Sequence, residues 1–265
     1  MPLFTDQIGY TISLAETPRR IVSLVPSQTE LLFDLGLGDC VIGITKFCIH
    51  PKSWLKEKTI IGGTKKIHPE KIAALQPDLI IANKEENVKE QVEDLRQIAP
   101  VWTSHIANLE EACEMISMIA SITGTEEQAT RILQKIQKGF EELAENTGNK
   151  IPSGNKVAYL IWQDPLMTVG KDTFIHHILS RANLQNVFAD QIRYPQISMV
   201  TLQEMSPDRL FLSSEPYPFA DKHIQAFQQC LPFTKVQLVD GEMFSWYGSR
   251  LQYVPDYIKG LLSTA

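Results

Sequence analysis

The residues able to do chemistry in this chain gather where short apolar runs end. One run is followed by Phe47, Cys48 and His50, and the next by Asn83, Glu85, Glu86 and Asn87. A third leads into Trp162, Gln163 and Asp164. Two later ones lead into Glu215, Tyr217 and Phe219, and into Phe244, Trp246, Tyr247 and Arg250. Rigid aromatic faces beside a few directional polar groups are what a small-molecule pocket needs. Arg193-Tyr194 and Arg250 add guanidinium forks, suited to an anionic ligand or to pairing with Glu215. Cys48 and His50 are candidate ligands for a soft metal, with Glu86 or Glu215 as a further donor. Two donors at that spacing also fit an ordinary loop. His176 and His177 fall in DTFIHHILSRAN, where surface and capping roles suffice, and His105 and His223 read as polar surface positions.

Catalytic signatures are missing. The chain has no GxSxG elbow, no P-loop, no GxGxxG after a strand and no HExxH. Without a matched nucleophile and base, these residues point to binding and not to catalysis. A metal-dependent enzyme using Cys48, His50 and nearby carboxylates is the competing reading.

The elements that must hold these residues follow from apolar spacing. Ile21 to Leu24 is a run of the kind buried in parallel sheets, preceded by a small hairpin or first strand. Ser27 is placed to cap the helix TELLFDLGL. Val41 to Thr45 is the next strand. A helix runs from His68-Pro69-Glu70 to Leu75, Pro77-Asp78 turns the chain, and LIIA is a third strand. NKEEN opens a charged helix to Ile98, and VWTS (101–104) is a fourth strand. The pattern then restarts with KVAYLIW as strand, DTFIHHILSRAN as helix and FAD as a short strand. TLQEMSPDRLFLS repeats the helix–Pro-Asp–strand step of EKIAALQPDLIIA; KVQLVDG is a further strand and PDYIKGLLSTA the last helix. Alternation of this kind predicts α/β architecture, with ligands collecting outside the carboxyl ends of the strands.

Between the halves lies EEQATRILQKIQKGFEELAEN. Apolar residues at Ala129, Ile132, Leu133, Ile136, Phe140 and Leu143 give it a helical stripe. Thr125 is a natural N-cap and Gly148 a natural stop. About 20 residues make a rod of about 30 Å. The expected fold is therefore two Rossmann-like lobes with mostly parallel sheets, joined by one long interlobe helix. The division is an N-terminal lobe at 1–107, an interlobe helical segment at 108–150, a flexible GNKIPSGN linker closing it, and a C-terminal lobe at 151–265. The ligand is expected in the cleft between lobes, with modest closure around it.

The 265 residues are 43% hydrophobic and 21% charged, a globular composition. A net charge of -6 with no Lys/Arg cluster argues against nucleic acid. No apolar run reaches the roughly 18 residues of a membrane span. The four scattered cysteines read as reduced thiols. MPLFTDQIGYTISLAETPRR carries no export signal or lipid-attachment cysteine, so the chain as written reads as cytoplasmic, or as periplasmic or cell-envelope if trimmed. No cofactor is expected, and the chain is expected to be a monomer.

RIVSLVPSQTELLFDLGL, EKIAALQPDLIIA, the long helix, DPLMTVGKDTFIHHIL and MSPDRLFL together resemble the helical-backbone (class III) periplasmic binding proteins of ABC importers. EPYPF and FSWYGSRL resemble the cobalamin-binding branch. The resemblance implies a two-lobed receptor for a metal chelate or corrinoid: cobalamin-like, haem or siderophore. Phe47 and Trp246 then offer aromatic surface to the ligand, while Thr64 and Asn83 stand where the cobalamin binder places tryptophans. It also implies docking to an ABC permease through one Glu per lobe. Glu70 matches in the first lobe; Val200 occupies the second position, with Glu204 the nearest acid. An intracellular carrier or sensor of the same fold, without a permease, is the alternative.

Overall fold

The computed structural model describes residues 1–147 and 155–263. The predicted stop at Gly148, all of the linker before Asn155, and Thr264-Ala265 lie outside the described residues. The chain divides into two compact units. One comprises Met1–Ile106, Glu110–Lys135 and Tyr247–Arg250, the other Ala107–Leu109, Ile136–Trp246 and Leu251–Ala265.

The first unit opens with a hairpin of β1 (Leu3–Thr5) and β2 (Thr11–Ser13). The buried Asp6 carboxylate closes its turn, accepting the N–H groups of Ile8 at 3.1 Å and Tyr10 at 2.7 Å. Next come β3 (Ile21–Ser23), β4 (Val41–Ile44), β5 (Thr59–Ile60), β6 (Leu79–Asn83) and β7 (Val101–Ser104). They form one wholly parallel sheet in the order β5-β4-β3-β6-β7. β6 is buried at every position, as a strand covered on both faces must be.

The second unit has β8 (Lys156–Gln163), β9 (Leu166–Thr168), β10 (Gln185–Asn186), β11 (Arg209–Ser213) and β12 (Lys235–Val239). The parallel order is β10-β8-β11-β12, with β9 antiparallel to β8. Ala158 and Leu160 of β8 and Leu210 and Leu212 of β11 form its core with Phe188, Leu202, Phe219 and Phe227.

The repeated Pro-Asp step has a common structural cause. Gln76 and Ser206, each just before the proline, hold the left-handed conformation with φ of 47° and 45°. That turn aims the following aspartate at the start of the neighbouring strand. Asp78 accepts the N–H groups of Arg19 and Arg20 at 2.8 and 2.9 Å, just ahead of β3. Asp208 accepts the N–H of Lys156, the first residue of β8, at 2.9 Å. In each unit one carboxylate therefore pins the amino ends of the central strand pair.

Several local expectations need correction. The helix after β3 spans Pro26–Asp34, with Val25 as N-cap and Pro26 in the first turn, so Ser27 is buried inside it and makes no cap bond. Proline's fixed φ starts a helix without a capping side chain. NKEEN is a turn, and the helix behind it spans only Lys89–Leu95. FAD is not a strand; pairing with β8 falls on β10, and Phe188 goes to the core. The 108–150 segment holds two helices, Leu109–Thr123 and Glu126–Thr147, with Gly124 at φ 67° between them. The second is the amphipathic rod, with Ala129, Ile132, Ile136, Phe140 and Leu143 buried.

Candidate ligand-binding site

In the first unit, the carboxyl ends of β4 and β6 carry most of the expected residues. Phe47 is half exposed, with the Lys46 ammonium 5.0 Å from its ring centre. Its ring lies over Gly63, where a Cβ would come within 3.0 Å of it. The Cys48 thiol next to it is fully buried. It accepts from the Thr29 hydroxyl at 3.0 Å and lies 3.2 Å from that of Thr45. Burial pushes this thiol upward, against the pull of both threonines. A buried, protonated sulfur is a poor metal ligand. Among the described residues no group of three or more His, Cys, Asp or Glu is placed to hold a metal ion. His50 is partly buried and exerts a Coulombic pull on Glu30.

Asn83 is buried and fully engaged in the fold. Its amide donates to the Ser104 hydroxyl at 2.9 Å, and its carbonyl accepts the N–H groups of Glu85 at 2.8 Å and Glu86 at 3.0 Å. An asparagine at a strand end, closing its own turn, is a structural device. Asn87 returns a bond to the Asn83 N–H at 2.8 Å. Glu86 stands on that turn, half-buried, with its carboxyl pushed up by desolvation against the attraction of Lys65.

Arg250 reaches this unit from the far end of the sequence. Its guanidinium grips the Glu30 carboxylate at 2.8 Å from Nε and 2.7 Å from Nη2. Tyr247 is buried, and Gly248, at φ 115°, lets the chain pass the Ser27 carbonyl, where a Cβ would stand 3.2 Å away. Glu30 escaped the sequence reading because it lies in the middle of an apolar helix and carries no loop signal.

In the second unit, the ends of β8 and β11 present an aromatic group. Trp162, 38% exposed, meets the edge of Tyr217 with ring centres 5.6 Å apart. Tyr217 packs on Phe219 at 4.7 Å and on the His223 ring at 5.7 Å. The His223 Nδ1 accepts the Ala220 N–H at 2.8 Å, so His223 is buried and caps its helix, where the sequence suggested a surface position. Glu215 accepts from the Ser245 hydroxyl at 2.7 Å and from the Trp246 indole N–H at 2.9 Å. Trp246 is itself buried, so its ring belongs to the scaffold around Glu215. Arg193 is exposed in a left-handed turn, φ 57°, over the Tyr194 ring at 5.5 Å. Its N–H also donates to the Asp172 carboxylate.

Glu70 is in the first turn of the helix Pro69–Ala74, exposed and 3.2 Å from the His68 ring. Val200 takes the same place in the helix Met199–Met205, and is 61% exposed.

Two α/β units with mostly parallel sheets, each carrying aromatic and polar side chains on its carboxyl-end loops, have the architecture of a two-lobed solute-binding protein. The fold is similar to that of a periplasmic vitamin B12-binding protein of Vibrio cholerae, at TM-score 0.79 and 23% identity over 94% of this chain and 99% of that one. It is also similar to a periplasmic haem-binding protein of Vibrio cholerae, at TM-score 0.79 and 23% identity over 92% and 98%. A family model described as periplasmic binding protein matches residues 21–231, and the chain belongs to that family, which is made of solute-binding proteins and not enzymes. Among curated relatives, the vitamin B12-binding protein of Pectobacterium carotovorum is 26% identical over 88% of this chain and 84% of its own length. An uncharacterized ABC transporter substrate-binding lipoprotein of Bacillus subtilis is 27% identical over 77% of this chain and 67% of its own. Among the described residues no helix is long and apolar enough to cross a membrane.

Proposed function

We propose that this chain is the ligand-binding component of an ABC-type importer and that its ligand is a metal chelate or corrinoid: a cobalamin-like molecule, a haem or a ferric siderophore. The likeness to vitamin B12-binding proteins along most of the chain carries this reading. The exposed faces of Phe47, Trp162 and Tyr217 supply flat apolar contact. His50, Glu86, Arg193 and Tyr194 read the ligand's polar substituents, while Arg250 holds its segment in place through Glu30. Asn83, Glu215, Trp246 and Tyr247 serve the site by holding those loops in place. Glu70, exposed on its helix, docks on the permease. The protein works on the cell-envelope side, a place that the lipoprotein relative's description supports, and it works there as a monomer.

Thermal unfolding with cobalamin, cobinamide, haem and ferric siderophores tests the reading. A ligand at 100 times its Kd adds about 2.7 kcal/mol, which raises Tm by several degrees. No shift with any of the four would overturn it.

A further inference from the structure

At the amino end of β7, opposite the carboxyl-end loops, a groove of about 280 Å³ runs between β2 and the turn leading into β7. Tyr10, Thr11 and Ser13 line one side, Arg96 and Gln97 the other, and no acidic side chain contributes to it. The Arg96 guanidinium carbon lies 3.7 Å from the centre of the Tyr10 ring. Stacking of this kind fixes the guanidinium plane while leaving its edge free to donate. Its Nε–H is sealed from water without a hydrogen-bond partner. Among the described residues no carboxylate pairs with Arg96, although the chain holds 31 acids against 25 Lys and Arg. The two Nη groups of Arg96 are not sealed in this way, so they are the donors that remain open to the groove.

We propose that this groove is a second binding site, one for a small oxyanion (a carboxylate or phosphate group) held edge-on by Arg96. The planar fork matches either group in two-pronged geometry, Tyr10 holds the fork, and Thr11, Ser13 and Gln97 supply neutral donors around it. Neither the carboxyl-end loops nor the chelate ligand is involved.

The test follows the backbone amide resonances of Ser13 and Gln97, which line the groove, by NMR while acetate, citrate and inorganic phosphate are added separately to the intact protein. We expect a saturable shift with at least one of the three, lost in Arg96→Gln and weakened roughly tenfold in Arg96→Lys, which keeps the charge but not the fork. Acetate and citrate against phosphate sort the carboxylate source from the phosphate source. Absence of a saturable shift in the native protein, or an equal one in Arg96→Gln, overturns the proposal. Affinity for the chelate is expected to be the same in all three proteins.

Discussion

Arg250 and Glu30, 220 positions apart in sequence, meet as a two-pronged ion pair with side chains only 10% and 13% exposed. The pair ties the segment Tyr247–Arg250 to the helix after β3. Removing one partner strands the other in a largely dry place. Glu30→Ala is expected to lower stability by about 2–4 kcal/mol, and Arg250→Ala by a similar amount. Urea unfolding checks this. The Glu30→Leu, Arg250→Met double variant should be less destabilised than either single one, because it strands no charge.

The same pair sets a pH dependence. Desolvation raises the Glu30 carboxyl above its ordinary 4.5, outweighing the opposing pull of Arg250 and His50. The folded chain therefore binds this proton more tightly than the unfolded chain. That contribution to stability is complete below 4.5 and is lost as pH rises through the folded value. Unfolding free energies measured from acid to neutral pH should fall more steeply in the native chain than in Glu30→Gln over that window. Parallel curves would refute the assignment.

Two tryptophans should separate binding from folding. Trp162 offers an exposed face, so Trp162→Ala is expected to weaken chelate binding by roughly tenfold or more while Tm changes little. Trp246 is buried against Glu215, and its loss should cost about 3–5 kcal/mol of stability as well as affinity. Calorimetric titration and thermal melts on both variants distinguish the two roles.

Gly241 gives a finer probe of Glu215. A Cβ there would lie 2.5 Å from both the Glu215 Cγ and the Ser213 Oγ. Gly241→Ala must therefore displace the glutamate from Ser245 and Trp246, at a cost of about 1–3 kcal/mol. A Tm equal to that of the native chain would show that Glu215 has room to move.

Much of the fold is legible in the sequence because long-range order here repeats a local rule. LIIA and KVAYLIW are buried strands, and the helix–Pro-Asp–strand step recurs with its aspartate accepting backbone N–H at the start of the neighbouring strand each time. The short strands β9 and β10 escaped because two or three residues carry no period. Site chemistry was harder to read. A strand-end Asn looks the same whether it faces a ligand or, like Asn83, closes its own turn. Cys48 beside His50 suggested a metal until burial between two threonines accounted for the sulfur. Glu30 and Arg250 needed three dimensions, since nothing local links them.

The paired aspartates Asp78 and Asp208 have a consequence at the opposite edge of each sheet. Strands locked at their starting residues must also finish in step, so Leu79 opposite Ile21 dictates how far Asn83 projects, and Val157 opposite Arg209 does the same for Trp162. A slip of one position would turn each side chain over to the other face. The aim of the loops after β6 and β8 is thus decided five or six residues back along each strand, by a carboxylate that never meets them.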